Sequence, residues 1–239
     1  MYYEPGKIPH NLPHDPFKAC VVPRPIGWIS TISPTDPKVH NLAPYSQFNN
    51  LTFDPPYVMF AANQKPDMER KDTVRNVELT GKFCWNLATW DLREAVNISA
   101  EQVEYGVDEF ERAGLTKEYS RSLPGEPVPM VKDSPVKFEC VYYSTTRLPG
   151  NLPVGSVDVV IARVVAVHIS DDVLTDGKLD VRKTQPIARC GYYQYAVIRE
   201  TFDMIIPGID EAIRAGLEGN SAKLRKIRDA DSEDQAQRQ

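Results

Sequence analysis

Long hydrophobic runs are missing from this sequence. The longest uninterrupted apolar stretch, Tyr57–Ala62, falls far short of the ~18 residues a membrane-spanning helix needs, which excludes one. Cysteine is scarce. Cys20, Cys84, Cys140 and Cys190 stand far apart with no C-x-x-C spacing, which excludes a zinc clamp or a disulfide framework and predicts reduced, packed thiols. Positive charge is not in excess either: 28 Lys and Arg against 33 Asp and Glu leave a net charge of −5, and no basic cluster stands out. Nucleic acid is therefore excluded as a partner. Neither G-x-G-x-x-G nor G-x-x-x-x-G-K-[ST] is present, and the Gly150–Gly155 pair lacks the Lys that would complete a phosphate loop. G-x-S-x-G is absent too, and four histidines leave little material for a Ser-His-Asp triad. His10 and His14 are four apart, but Pro13 interrupts them and no third ligand follows, so no metal site is assigned. The first residues, Met1-Tyr2-Tyr3-Glu4-Pro5-Gly6-Lys7, lack the basic-then-apolar pattern of a secretory leader, and the expected location is the cytoplasm.

What is present is an ordinary soluble composition, 41% hydrophobic and 26% charged over 239 residues, enough for one or two domains with a core of their own. The 13 glycines and 20 prolines are scattered and punctuate many short segments, the pattern of a β-rich domain. Segments rich in β-branched and aromatic residues predict strands over Ile26–Ile32, Tyr57–Ala62, Phe83–Ala88, Val136–Thr146 and Val157–Ile169, with a last pair in Pro186–Gly191 and Tyr193–Arg199. A helix is predicted over Asp72–Leu79, two short ones between Asp91 and Ala113, and another over Asp210–Arg228. Thr116–Asp133, with its prolines and charges, reads as a surface loop, and Asp229–Gln239 as a polar end. The expected architecture is mainly β with helical insertions. A barrel-like domain would span 1–207 and a C-terminal helical tail 208–239.

Two segments stand out chemically. In the first, the strand ending Ser30-Thr31 is followed by Asn41-Leu42-Ala43-Pro44-Tyr45-Ser46. Small residues there would let a flat ligand approach the backbone, although the same residues also make a polar turn at a strand edge. In the second, Arg70, Lys71 and Thr73 gather at a predicted helix start. Free N–H groups and the helix dipole favour an anion at such a start, and a solvated charged cap fits the local pattern as well. Together they propose a flat ligand carrying a phosphate.

The run Pro23-Arg24-Pro25-Ile26-Gly27-Trp28-Ile29-Ser30-Thr31, then Asn41–Ser46, then Lys71-Asp72-Thr73 with Asn76, resembles the flavin reductase-like, FMN-binding split-barrel family. The likeness continues through Tyr105–Thr116, Ile161–Ile169 and Pro186–Tyr192, in the family's order, and looks closest to its longer, flavoredoxin-like members. The resemblance implies a Greek-key split barrel that forms a homodimer, with FMN bound near the interface. It implies that Trp28, Ser30 and Thr31 contact the cofactor. Asn41, Ala43, Pro44 and Ser46 would line the isoalloxazine, while Lys71 and Thr73, helped by Arg70, would hold the phosphate. Asp72 would cap the helix, and Arg189 and Tyr192 would close the pocket. Arg24 is left with two roles, facing the phosphate or pairing across the dimer. NAD(P)H would act as a transient reductant and a small molecule or protein as acceptor, with no obligatory catalytic side chain. One departure favours a flavoredoxin-like electron carrier as the alternative. Where some shorter reductases have a histidine, this chain has Gly155-Ser156-Val157-Asp158, and His168, further along the strand, is read as structural.

Overall fold

In the computed structural model, residues 1–220, 222–227 and 229–230 are described. The chain divides into two compact units, Met1–Glu200 and Thr201–Gln239, so residues 201–207 group with the tail.

The first unit is built on seven antiparallel strands: β1 (Gly27–Ile32), β2 (His40–Tyr45), β3 (Phe48–Phe53), β4 (Pro56–Asn63), β5 (Lys82–Asn86), β6 (Val136–Leu148) and β7 (Val157–Ile169). They hydrogen-bond in the order β2-β1-β5-β6-β7-β4-β3. The two edge strands, β2 and β3, are consecutive in the chain and joined only through Ser46 and Gln47, so the sheet curls until its edges meet at that corner. This is the split barrel. A glycine makes the closure possible: a Cβ on Gly27 would sit 2.9 Å from the Phe48 ring, across the corner.

Inside the barrel, Ile29, Phe60, Phe83, Cys140 and Val160 are fully buried, and the Phe48 and Trp85 rings stack at 5.3 Å. Helix α1 (Asp72–Thr80) closes one side with Val74 and Val77, and Gly81, left-handed at φ 73°, stops it. Strand β1 is buried along its whole length, because a second layer covers its outer face. There Trp28, Leu42, Val96 and Phe110 pack together, carried partly by the short helices α2 (Arg93–Ile98) and α3 (Glu109–Arg112).

Two expectations require correction. The 116–133 segment is no surface loop: Lys117–Tyr119 pairs with Pro129–Val131, and Val128, Met130 and Val131 are fully buried. Buried Glu139 anchors it, accepting hydrogen bonds from the N–H groups of Arg121 (2.8 Å) and Ser122 (2.7 Å). In the second unit, helix α4 (Glu211–Leu217) starts on an Asp210 cap and ends before Gly219 at φ 67°. A further helical stretch covers 222–227, and Arg228 lies outside the described residues.

Candidate functional site

Strand β2 and the first turn of α1 face a cavity of about 480 Å³ whose walls include Asn41, Ala43, Pro44, Lys71, Thr73 and Glu109. A neighbouring cavity of about 270 Å³ shares Pro44, Tyr45 and Lys71 and adds Ser46 and Pro153. Volumes of this size suit a cofactor-sized ligand. Proline in an edge strand gives up no ladder bond, so Ala43 and Pro44 leave a shallow apolar wall.

Polar groups converge at the helix start. Asn41 Nδ2 donates to Thr73 Oγ1 at 2.8 Å, tying β2 to α1. Lys71 is the N-cap residue of α1 and makes no side-chain cap bond; the Val74 and Arg75 N–H groups donate to the Lys71 carbonyl, leaving those of Asp72 and Thr73 with capacity for an anion. Among the described residues, nothing forms a salt bridge or hydrogen bond with the Lys71 ammonium. Burial, with the Lys65 ammonium adding to it, lowers its pKa. Lys65 itself is bound to Asp72 at 2.9 Å, so Asp72 pairs with that lysine where a capping role was expected. The Arg75 guanidinium lies 5.8 Å over the Tyr105 ring. Burial raises the pKa of the Tyr45 phenol.

Of the residues named from the sequence, Asn41, Ala43, Pro44, Lys71 and Thr73 meet in the larger cavity, and Ser46 joins in the smaller one. The others line neither. Trp28 and Ser30 point from β1 into the outer layer, where Trp28 Nε1 donates to Ser99 Oγ at 2.9 Å and Ser30 Oγ to the Pro129 carbonyl at 2.6 Å. Thr31 Oγ1 accepts from Asn76 Nδ2 at 3.0 Å, fastening α1 to the barrel. Arg70 is engaged by both oxygens of Glu78 and, through Nε at 3.2 Å, by Asp158. Arg24 donates to the carbonyls of Lys18, Val21 and Cys190 and pairs in register with Arg189. Arg189 in turn bonds the Tyr192 carbonyl, so Arg24 and Arg189 belong to a separate three-stranded sheet and Tyr192 to the turn that leads into its last strand. His168 Nε2 lies 2.7 Å from the Glu139 carboxylate.

Sequence reasoning passed over Tyr45, Lys65 and Glu109. The only signal for Glu109 was the acidic pair Asp108-Glu109 directly before the apolar Phe110.

A barrel closed at a two-residue corner, with a helix start beside a flat wall, is the frame of the site. The chain belongs to the flavin reductase-like family, since the model of the flavin reductase like domain matches residues 19–187. An uncharacterized protein of Aquifex aeolicus is 35% identical over 176 residues, 73% of this chain and 84% of that protein. The crystal structure of nitrilotriacetate monooxygenase component B from Bacillus cereus superposes with a TM-score of 0.76 at 27% identity, covering 85% of this chain and 98% of that one. Flavoredoxin of Desulfovibrio vulgaris shares the fold, with a TM-score of 0.65 at 15% identity, over 79% and 93% of the two chains.

Proposed function

We propose that this protein binds FMN in the cavity between β2 and α1 and acts as an oxidoreductase. It would accept hydride from NAD(P)H and pass electrons to flavin or another small-molecule or protein acceptor. The observation that carries this reading is the Lys71 ammonium, without a hydrogen-bond or salt-bridge partner among the described residues, beside Thr73 at the start of α1, in a cavity whose wall also includes Ala43 and Pro44. Lys71, Thr73 and the first-turn N–H groups of α1 would hold the phosphate through charge-assisted hydrogen bonds. Ala43, Pro44 and Ser46 would flank the ring. Bound FMN supplies the hydride and electron transfer, and the protein supplies orientation and electrostatics. Four free cysteines favour a cytoplasmic setting. Exposed Tyr143, Val165, Val167 and Ile169 along β6 and β7 favour a homodimer.

The alternative is an electron carrier reduced by a protein donor. Its support is Gly155-Ser156 in place of a histidine before β7. The experiment is an anaerobic visible spectrum of the FMN-loaded protein before and after NADH, then NADPH. Flavin bands that bleach within seconds support the reductase, and bands that persist favour the carrier. A chain that takes up no FMN refutes both.

A further inference from the structure

Glu109 is a buried carboxyl in the cavity wall that the proposed chemistry does not use. It is 7% exposed and opens the one-turn helix α3. Its Oε2 accepts the Leu42 N–H at 2.9 Å, which fixes it against the strand carrying Asn41 and Ala43. Among the described residues, no cation is bonded to it. Lys117 and His40 both turn to its neighbour, Asp108. Glu109 also borders a void of about 10 Å³ shared with Asn76 and Tyr105, roughly the room one water needs. Asn76 Oδ1 is a buried acceptor without a donor. A carboxyl between a ligand-sized cavity and an unsatisfied acceptor is placed to hold a proton.

We infer that Glu109 is the proton-exchanging group of this cavity, taking up a proton when an anionic ligand enters. The inference rests on reading the cavity as an anion site, with FMN as the anion. Its surroundings support it. Burial works against the charge of both carboxylates of the acidic pair. For Asp108, the imidazole of His40, the Lys117 ammonium and the Glu111 N–H outweigh burial and bring the carboxyl down to about 2. For Glu109, burial prevails over the Leu42 N–H, Asp108 and Asp72 add repulsion, and its pKa rises to about 7. Two adjacent carboxylates driven apart in this way make one fixed anion and one proton carrier. The cavity is also lined by Lys65, Asp67, Glu69 and Lys71 from the loop before α1, by Asp72 and Arg75 from α1, and by Glu101 and Glu104 from the 99–105 segment. From β2, half-buried Tyr45 faces Glu109 as a neutral phenol whose own ionisation the carboxylate opposes. An incoming phosphate offsets these cations and adds negative charge, so the carboxyl moves toward its neutral form.

The test is calorimetry of FMN binding to the full chain at pH 7.5, in two buffers of different ionisation enthalpy. Glu109→Gln serves as the comparison, because Gln keeps an acceptor for the Leu42 N–H. The expected result is that the wild type takes up about half a proton more than the variant on binding. Equal proton counts in the two proteins overturn the inference. Should FMN not bind at all, the functional reading fails. The inference is then decided by carbon NMR of the Glu109 carboxyl in the ligand-free chain. A midpoint near 7 supports it, and one near 4.5 overturns it.

Discussion

Replacing Lys71 with Met separates a functional lysine from a structural one, because the two predict opposite signs. The Lys71 ammonium is half-buried, has no partner among the described residues and stands near Lys65, so both burial and like charge disfavour it in the ligand-free chain. Met keeps the length and apolar stem while removing the charge. Stability of the ligand-free protein should therefore rise, by about 1 kcal/mol, or roughly 2–4 °C in Tm for a chain of this size. Affinity for FMN should move the other way. A charge-assisted hydrogen bond to phosphate contributes ~1.5–3 kcal/mol, so the dissociation constant should rise about 10- to 150-fold. The assays are differential scanning fluorimetry on the flavin-free protein and flavin-fluorescence titration. A fall in Tm would show that Lys71 has a stabilising partner and is part of the scaffold. An unchanged dissociation constant would refute the phosphate assignment.

Asp158→Asn leaves the guanidinium groups of Arg70 and Arg147 facing each other around a site that is 2% exposed. Since Arg147 is partly solvated, the cost should be about 2 kcal/mol, read as a Tm lower by ~4–8 °C, with FMN affinity within a factor of about two of wild type. Gly27→Ala pushes a methyl group onto the Phe48 ring at the barrel corner and should cost ~1–3 kcal/mol by urea denaturation. Glu139 accepts two N–H groups and faces His168, and these outweigh burial and lower its pKa. A depressed carboxylate stabilises above its unfolded value of about 4.5 and loses that contribution as pH falls through its lower folded value. Glu139→Gln, which presents an NH₂ group to one of those N–H donors, should cost ~1–3 kcal/mol at pH 7. A plot of Tm from pH 7 to 3 should also show a shallower acid limb for the variant.

The strands of the barrel were legible because burial on one or both faces selects β-branched and aromatic residues. β7 falls on Val157–Ile169, as its run of valines suggests. The edges β2 and β3 were not, since His40–Tyr45 contains Pro44 and Phe48–Phe53 is mostly exposed, and neither carries a periodic apolar pattern. The 116–133 segment misled for a different reason. Its one buried run, 128–131, is short and interrupted by Pro129, and a carboxylate from β6, remote in sequence, anchors it. At the site, proximity in sequence was a good guide on β2 and α1, where one element supplies one wall. It could not say that β1 lines neither cavity. Ser30 and Thr31 are adjacent and therefore point to opposite faces. The second layer that claims Ser30 depends on Pro129, and Thr31 is claimed by Asn76. Arg70 was drawn away in the same manner by Asp158, eighty-eight positions along the chain.

Pairing explains why two groups in the cavity stand apart from the rest. Arg70, Lys65, Asp72, Asp108 and Lys117 all have partners, and their charges fix the loop before α1 and the start of α3. Among the described residues neither Lys71 nor Glu109 is in a salt bridge, and although the Asp72 and Asp67 carboxylates favour the ammonium, burial and Lys65 outweigh them; a chain selected for stability alone would hold neither group this way away from water. Both penalties are relieved by the same event, the arrival of an anion that attracts the ammonium and drives the carboxyl neutral. The two groups should therefore titrate as a coupled pair. Removing the Lys71 charge raises the proton affinity of Glu109 in the ligand-free chain, so at pH 7.5 more of it is protonated before FMN arrives. Lys71→Met should thus take up a smaller fraction of a proton on binding than wild type, at an FMN concentration raised to match its weaker affinity. An unchanged proton count alongside weakened affinity would show that the two groups act independently, as two separate devices in one cavity.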